Sequence, residues 1–309
     1  MTNCPWLSVS GFGAHIKSTA KNLIIQQKNQ IEEYPLKSVQ NLMIVGGHTV
    51  NSTTISRLIK NGAFISFFEP DGTPVGTIRP FDSAQDNPIK KMQMELPRYR
   101  YAISLAQGSL KSRLIAISRI QEMKNTQLFY EGEMQFFQNS LDEMAYLVKM
   151  DEIRRLNRLV TDMYYEVLSR AIPSEFGFKR RILSKQTDPI NAMLSFGYSM
   201  LFGNCCVSVT GARLDPDIGI ISEGRGGLIL DLIDSLKSEM VDMVVLNTAQ
   251  DTLEPGDFEQ SSDRCILSDE LMKELIKLFH SSIKNEKIDE QAVNFKRAIT
   301  NNAEFNVRY

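Results

Sequence analysis

Two aspartates three residues apart, Asp231 and Asp234, are the first groups in this sequence that could do chemistry. On a helix they share a face, where paired carboxylates either hold a hard divalent cation or stand in water as an ordinary acidic surface. A second candidate is the cationic run Lys179, Arg180, Arg181 and Lys185. Guanidinium groups pair bidentately with phosphate, and such contacts position a nucleic-acid backbone without reading its sequence. Arg154 and Arg158, one turn apart, either join that anion-binding set or form a solvated helix face. The four cysteines (Cys4, Cys205, Cys206, Cys265) make no CxxC pair, and His15, His48 and His280 lie far apart. Neither zinc nor a His-rich metal site is indicated. Adjacent Cys205 and Cys206 are expected to face opposite environments on a short element, as small thiols rather than ligands.

The elements that must carry these groups change character along the chain. Up to about residue 80, short apolar runs such as Leu23–Ile25, Leu42–Val45 and Phe64–Phe68 are separated by turn residues, which predicts strands. Asp71-Gly72 is a hairpin signal, and Ser52 caps a short helix through Arg57 and Leu58, closed by Asn61-Gly62. Residues 81–97, polar and flanked by prolines, read as a linker. Beyond Pro97 the apolar period becomes 3.6. Ile103, Leu110, Leu114, Ile117 and Ile120 mark one helix; Ile153, Leu156, Val160, Met163 and Val167 mark the inner face of another over Met144–Leu168. Ile190–Phe202, Leu228–Leu236 and Leu271–Ser281 continue the pattern, and the charged stretch from Asn285 predicts a frayed helical tail. The expected fold class is α+β: a β-sandwich-like N-terminal domain over residues 1–80, a linker over 81–97, and an all-α domain over 98–309.

At 309 residues, 42% hydrophobic and 23% charged, the chain suits two globular domains. A net charge of −2 means that any DNA affinity comes from a local basic face rather than from the whole molecule. Met1–Ser10 carries no basic segment followed by an apolar one, and no apolar run reaches bilayer length. A cytoplasmic protein with no membrane contact is expected.

Several segments together resemble the CRISPR adaptation nucleases, the family that integrates new spacers into the array. Pro35–Val39 with Leu42–Gly47, and Asn61–Phe68 with Asp71-Gly72, look like strands of that family's β domain. Asp188–Tyr198 (Asp-Pro-Ile-Asn-Ala-Met-Leu-Ser-Phe-Gly-Tyr) is similar to its central helix signature. Leu214–Ile221 looks like the step before its catalytic histidine, and Leu230–Asp234 with Met240–Asp242 resembles its acidic helix. The matches span nearly the whole chain, in order. The resemblance implies a β domain that dimerises, a helical catalytic-type domain, and pairing with a small CRISPR adaptation partner.

The family's chemistry is metal-assisted cleavage and transesterification of phosphodiesters, with the ion held by a glutamate, a histidine and an acidic residue. Carried over residue by residue, the glutamate position is Asn157, seven before Tyr164, and the histidine position is Ser222, after Gly219-Ile220-Ile221. The acidic ligand is Asp234, with Asp231 in support. An asparagine brings no charge and a serine hydroxyl is a poor ligand, so metal binding and catalysis are expected to have lapsed, with no cofactor. Two adjacent carboxylates without an ion still call for positive charge, and Arg154 or Arg158 is expected to supply it. Three readings stay open. The first is a homodimeric relative that binds duplex or branched DNA through Arg154, Arg158, Lys179, Arg180, Arg181 and Lys185 without cutting it. The second is an active Mg²⁺- or Mn²⁺-dependent endonuclease and integrase that recruits Glu223 and Asp162. The third is a scaffold that holds a partner protein or an active paralogue without touching DNA.

Overall fold

A computed structural model describes residues 6–28, 30–80 and 88–309. The chain begins with strands β1 (Trp6–Ser10), β2 (His15–Ser18), β3 (Asn22–Gln27), β4 (Gln30–Pro35), β5 (Asn41–Val45) and β6 (Thr49–Val50). Helix α1 (Ser52–Lys60) and strands β7 (Phe64–Phe68) and β8 (Pro74–Ile78) complete this part. They form two four-stranded sheets, in the orders β1-β5-β7-β8 and β4-β3-β2-β6. In the first sheet β1, β5 and β7 run parallel and β8 returns antiparallel. Asp71-Gly72 makes that return: Gly72 has φ +85°, and the Asp71 carboxylate accepts the Thr73 N–H at 2.9 Å. The cap of α1 is Asn51 rather than Ser52, because the Asn51 side chain, not the serine, accepts the Thr54 N–H.

Strand alternation decides what each sheet face buries. Leu42, Ile44, Ile65 and Val9 point to a core shared with Ile16, Leu23 and Ile25 of the second sheet. Trp6, Met43 and Phe68 point the other way, into the core of the helices. The first sheet is therefore covered on both faces, which is why β5 is buried along four of its five residues.

The helical part comprises α2 (Pro88–Glu95), α3 (Arg98–Lys124), α4 (Glu133–Met144), α5 (Met150–Ser169), α6 (Pro189–Gly211), α7 (Gly227–Ile233) and α8 (Met243–Asp251). A two-stranded hairpin of β9 (Phe258–Gln260) and β10 (Cys265–Leu267) interrupts it, followed by α9 (Asp269–Ser282) and α10 (Asn285–Thr300). Several expectations change. Of the linker over 81–97, residues 81–87 lie outside the described residues, and 88–95 form α2. Gln93 of that helix, fully buried, exchanges hydrogen bonds with the backbone of Asp215. The helix expected over Met144–Leu168 begins later: Met144 ends α4, residues 145–149 are not helical, and α5 runs Met150–Ser169. The tail from Asn285 is not frayed: α10 buries Ile288, Ala292, Phe295 and Ile299, an apolar stripe at helical spacing among its charges. Cys205 and Cys206 are both buried on α6 instead of facing opposite sides, and Cys4 lies outside the described residues.

Helix α6 is the centre of this part. Asp188 caps it, accepting the Asn191 N–H at 2.8 Å, and Pro189 opens its first turn. Contrary to the sequence reading, its 23 residues are long and apolar enough to cross a membrane by length and composition; 56% of its apolar window, however, is buried inside the protein. Glycines let other elements approach it closely. A Cβ on Gly203 would stand 1.7 Å from the Asp71 carbonyl oxygen, so the β7–β8 turn rests directly on the α6 backbone. Trp6 packs against Gly211, whose carbonyl accepts the buried Asn41 side chain at 3.0 Å.

Candidate functional site

The two aspartates stand at the end of one short helix and serve different partners. Asp231, on α7, is 4% exposed. Its carboxylate accepts the N–H groups of Ile220 (2.6 Å), Ile221 (3.0 Å) and Ser222 (2.9 Å), and the Ser222 hydroxyl as well. A carboxylate offers about four lone-pair sites, so these four donors saturate it. Burial raises its pKa above the ordinary value, and the donors offset only part of that rise.

Asp234 caps the C-terminal end of α7 and faces α3. One Arg113 nitrogen lies 3.0 Å from both of its carboxylate oxygens, Lys237 lies 2.9 Å away, and the Ser109 hydroxyl donates to it as well. Burial alone would raise this carboxyl, but Arg113, Lys237 and Ser109 together hold it well below the usual carboxylate range. Arg113 is itself 3% exposed and lies 5.6 Å from the centre of the Tyr164 ring. From there the network runs on. The Tyr164 hydroxyl donates to Asp242 at 2.7 Å, the Tyr198 hydroxyl donates to the same carboxylate, and the Tyr165 and Tyr198 hydroxyls meet at 2.6 Å. Asp242 ends a single π-helical turn, Ser238–Asp242. Burial pushes its pKa up to about 6, even though Tyr198 and Tyr164 donate to it.

The remaining family positions are placed as follows. Asn157 lies on α5 with its side-chain oxygen buried and without a hydrogen-bond partner. Arg154, three residues earlier, donates to the Ile221 carbonyl at 2.9 Å and pairs with Glu223 at 2.6 Å and Asp151 at 3.2 Å. It clips the Ser222 loop to α5. Neither Arg154 nor Arg158 is the cation that meets the aspartates: Arg113 and Lys237 meet Asp234, and Asp231 has no cation beside it but three backbone N–H groups and a hydroxyl. Of the proposed substitute ligands, Glu223 is taken up by Arg154, and Asp162 lies on the exposed side of α5.

A divalent ion does not fit these residues. Asp231 is saturated, Asp234 is already matched by two fixed cations, and one neutral amide oxygen at Asn157 is too weak a donor to hold a hard cation. Among the described residues no group of three or more His, Cys, Asp or Glu is arranged to hold a metal ion.

The cationic run divides. Arg181 points inward: it donates to the Asn191 side-chain oxygen (2.8 Å), the Ile182 carbonyl (2.8 Å) and the Ser195 hydroxyl (2.7 Å), and lies 5.4 Å from the Tyr198 ring centre. It braces the start of α6 and leaves no fork free for phosphate, so its expected DNA contact is withdrawn. Lys179 and Arg180 are exposed and make no ion pair within the described chain; Lys185, at φ +52°, faces Asp263 at 3.5 Å. Sequence reasoning missed Arg113. The signal was there: Ser109, Ser112 and Arg113 fall on the same helical stripe as Leu105, Ala116 and Ile120, and a charged residue on a core stripe needs a buried partner.

Comparison with known proteins places this geometry. A family model described as "CRISPR associated protein Cas1" matches residues 7–281. A protein of Methanospirillum hungatei named as a CRISPR-associated endonuclease Cas1 is 38% identical over 97% of this chain and 99% of its own. A Thermus thermophilus CRISPR-associated endonuclease Cas1 is 26% identical over 84% of this chain and 76% of its own. Among solved structures, a casposase bound to its integration product superposes with a TM-score of 0.83 at 18% identity, covering 98% of this chain and 99% of that one. A Cas1 protein from Thermotoga maritima gives 0.61 at 18% identity, over 95% and 97%. These likenesses establish the same fold.

Two outcomes test the network. Arg113→Met leaves the partly buried Asp234 beside one cation instead of two and is expected to cost about 3 kcal/mol in urea unfolding; adding Asp234→Asn recovers part of the loss, because the two changes share one interaction. The Asp242 carboxyl binds its proton more tightly folded than unfolded. Its contribution to stability is therefore full below about pH 4 and is lost as pH rises through about 6, a decline of about 3 kcal/mol. Asp242→Asn should remove that decline, read as the difference between wild-type and variant unfolding free energies at pH 4 and pH 7.

Proposed function

The chain belongs to the Cas1 family of CRISPR adaptation integrases and endonucleases, and on that premise we propose that it is a DNA-binding member whose metal chemistry has lapsed. One observation carries the reading: Asp234, the family's acidic ligand position, is already matched by Arg113 and Lys237. Asn157 and Ser222 at the glutamate and histidine positions agree with it. Without an ion there is nothing to polarise a phosphoryl oxygen or to lower the pKa of an attacking water, and no side chain here supplies a substitute for both.

DNA binding rests on Lys179 and Arg180, exposed and without ion partners among the described residues, next to the capped start of α6. Arg158, exposed on α5, is a further contact candidate, and Arg154 contributes through the loop that it holds. Solved relatives include a Cas1–DNA complex and a partial Cas6-RT-Cas1–Cas2 complex, which supports DNA and a small adaptation partner as the ligands of this chain too. A homodimer formed by the β domain belongs to the same proposal. No resident cofactor is part of it.

Incubated with branched DNA and Mn²⁺, the protein is expected to leave the DNA intact. Nicking that depends on Mn²⁺ and disappears in Asp234→Ala would overturn the lapse. Binding to a duplex should fall steeply with salt, since counterion release dominates contacts to phosphate. Lys179→Ala with Arg180→Ala should weaken it about tenfold on all sequences alike, measured by fluorescence anisotropy. Unchanged affinity in that double variant would move the DNA contact to another face, and no binding by the wild type would move the function to protein binding without DNA.

A further inference from the structure

Between α3, the π-helical turn and α10 lies a cavity of about 60 Å³, with Ser112, Arg119, Ser238, Glu239 and Lys287 among its lining residues. Ser112 and Ser238 are 5% and 1% exposed, and their hydroxyls meet at 2.5 Å. Neither hydroxyl makes another hydrogen bond among the described residues. Two hydroxyls bring two protons, and the bond between them uses only one. One buried O–H therefore lacks an acceptor within the described chain, at a place where two alanines would carry no such cost. Arg119, two turns along α3 from Ser112, is exposed and makes no ion pair among the described residues. Lys287 of α10 pairs with Glu239 at 2.6 Å and keeps two further N–H donors.

We propose that this cavity binds one free phosphate-sized oxyanion, with Arg119, Lys287 and the spare hydroxyl proton of the Ser112–Ser238 pair as its donors. The proposal goes beyond DNA binding and does not depend on it. Charge selects the sign of the ligand. Among these side chains Arg119 and Lys287 exceed Glu239 by one positive charge, which favours an anion. A cation would find a single carboxylate, already held by Lys287. Volume selects the size. At about 10–15 Å³ for each water-sized atom, the cavity has room for about four to six, which suits the four oxygens of phosphate but leaves no space for a base or sugar. The donors also come from three separate elements, so they surround an ion instead of fixing it to one helix. Ser238 opens the π-helical turn, a rare element that gathers at functional sites. An ion bound here would tie α10 and α3 to that turn, and by mass action it would stabilise the fold.

The test titrates the full chain with inorganic phosphate by calorimetry, at an ionic strength held constant with chloride. One ion per chain is expected to bind, and the unfolding temperature is expected to rise with phosphate concentration. Arg119→Gln, a change at an exposed side chain, should weaken binding about tenfold, since it removes a charge-assisted donor. Glu239→Gln should strengthen binding about threefold, because it removes the negative charge beside the ion and frees Lys287. An ion pair that served only the fold would give no such gain. Lys179→Ala with Arg180→Ala should leave phosphate affinity unchanged, which separates the cavity from the basic loop. Titration with 5′-AMP distinguishes a free ion from the phosphate of a nucleotide, and AMP is expected to bind no more tightly than phosphate. No phosphate binding by the wild type, full affinity in Arg119→Gln, no gain in Glu239→Gln, or loss in the Lys179 and Arg180 double variant overturns the site. Tighter binding of AMP than of phosphate overturns the free ion as its occupant.

Discussion

A carboxylate enclosed among helices needs positive charge beside it, and Asp234 has Arg113 and Lys237. Much else in the helical part is arranged around that match. Arg113 draws α3 onto the end of α7; its guanidinium lies against Tyr164 of α5; Tyr164 and Tyr198 share Asp242, which brings in α6 and the π-helical turn. Counted as charges, Arg113 and Lys237 balance Asp234 and Asp242, so the cluster is neutral when both acids are ionised. An exchangeable metal ion would provide the same positive charge, but only while bound. Here the charge is part of the chain and does not depend on a bound ion.

Asp231 shows the same economy by another route. Its negative charge is met by three backbone N–H groups and a hydroxyl instead of a cation, and in meeting it the Ile220–Ser222 loop takes its shape. Arg154 closes that loop from the other side through the Ile221 carbonyl and Glu223. Asp231 and Ser222 thus act together as a structural tie between α7 and this loop. The side-chain oxygen of Asn157, on the neighbouring α5, is buried without a hydrogen-bond partner.

Helix α6 connects this core with the basic loop and with the β domain. Its first turn, through Asp188, Asn191 and Arg181, fixes the loop on which Lys179 and Arg180 are exposed. Its middle and end receive the β7–β8 turn at Gly203 and Trp6 at Gly211. The presentation of the basic loop and the seating of the β domain therefore depend on one helix, and the glycines that allow close approach are as necessary to it as its apolar residues.

The sequence by itself determined the order of architectures, because strand and helix leave different apolar periods, and it determined the family, because five motifs keep their order and spacing. It also placed an asparagine and a serine, Asn157 and Ser222, where the resemblance puts a glutamate and a histidine, which is a matter of residue identity alone. Other features depended on packing. Pattern reading compares residues two to four apart, so it could pair Asp231 with Asp234 but could not see that they serve different partners. It could not join Asp234 to Arg113, 121 residues away, or turn Arg181 inward toward Asn191 while Arg180 stays in water. The β9–β10 hairpin and α2 were missed because short elements carry too few apolar positions for a period to show. Which carboxylate receives the cation is decided by how α3 lies against α7, and that follows from the packing of the whole helical core rather than from any local pattern.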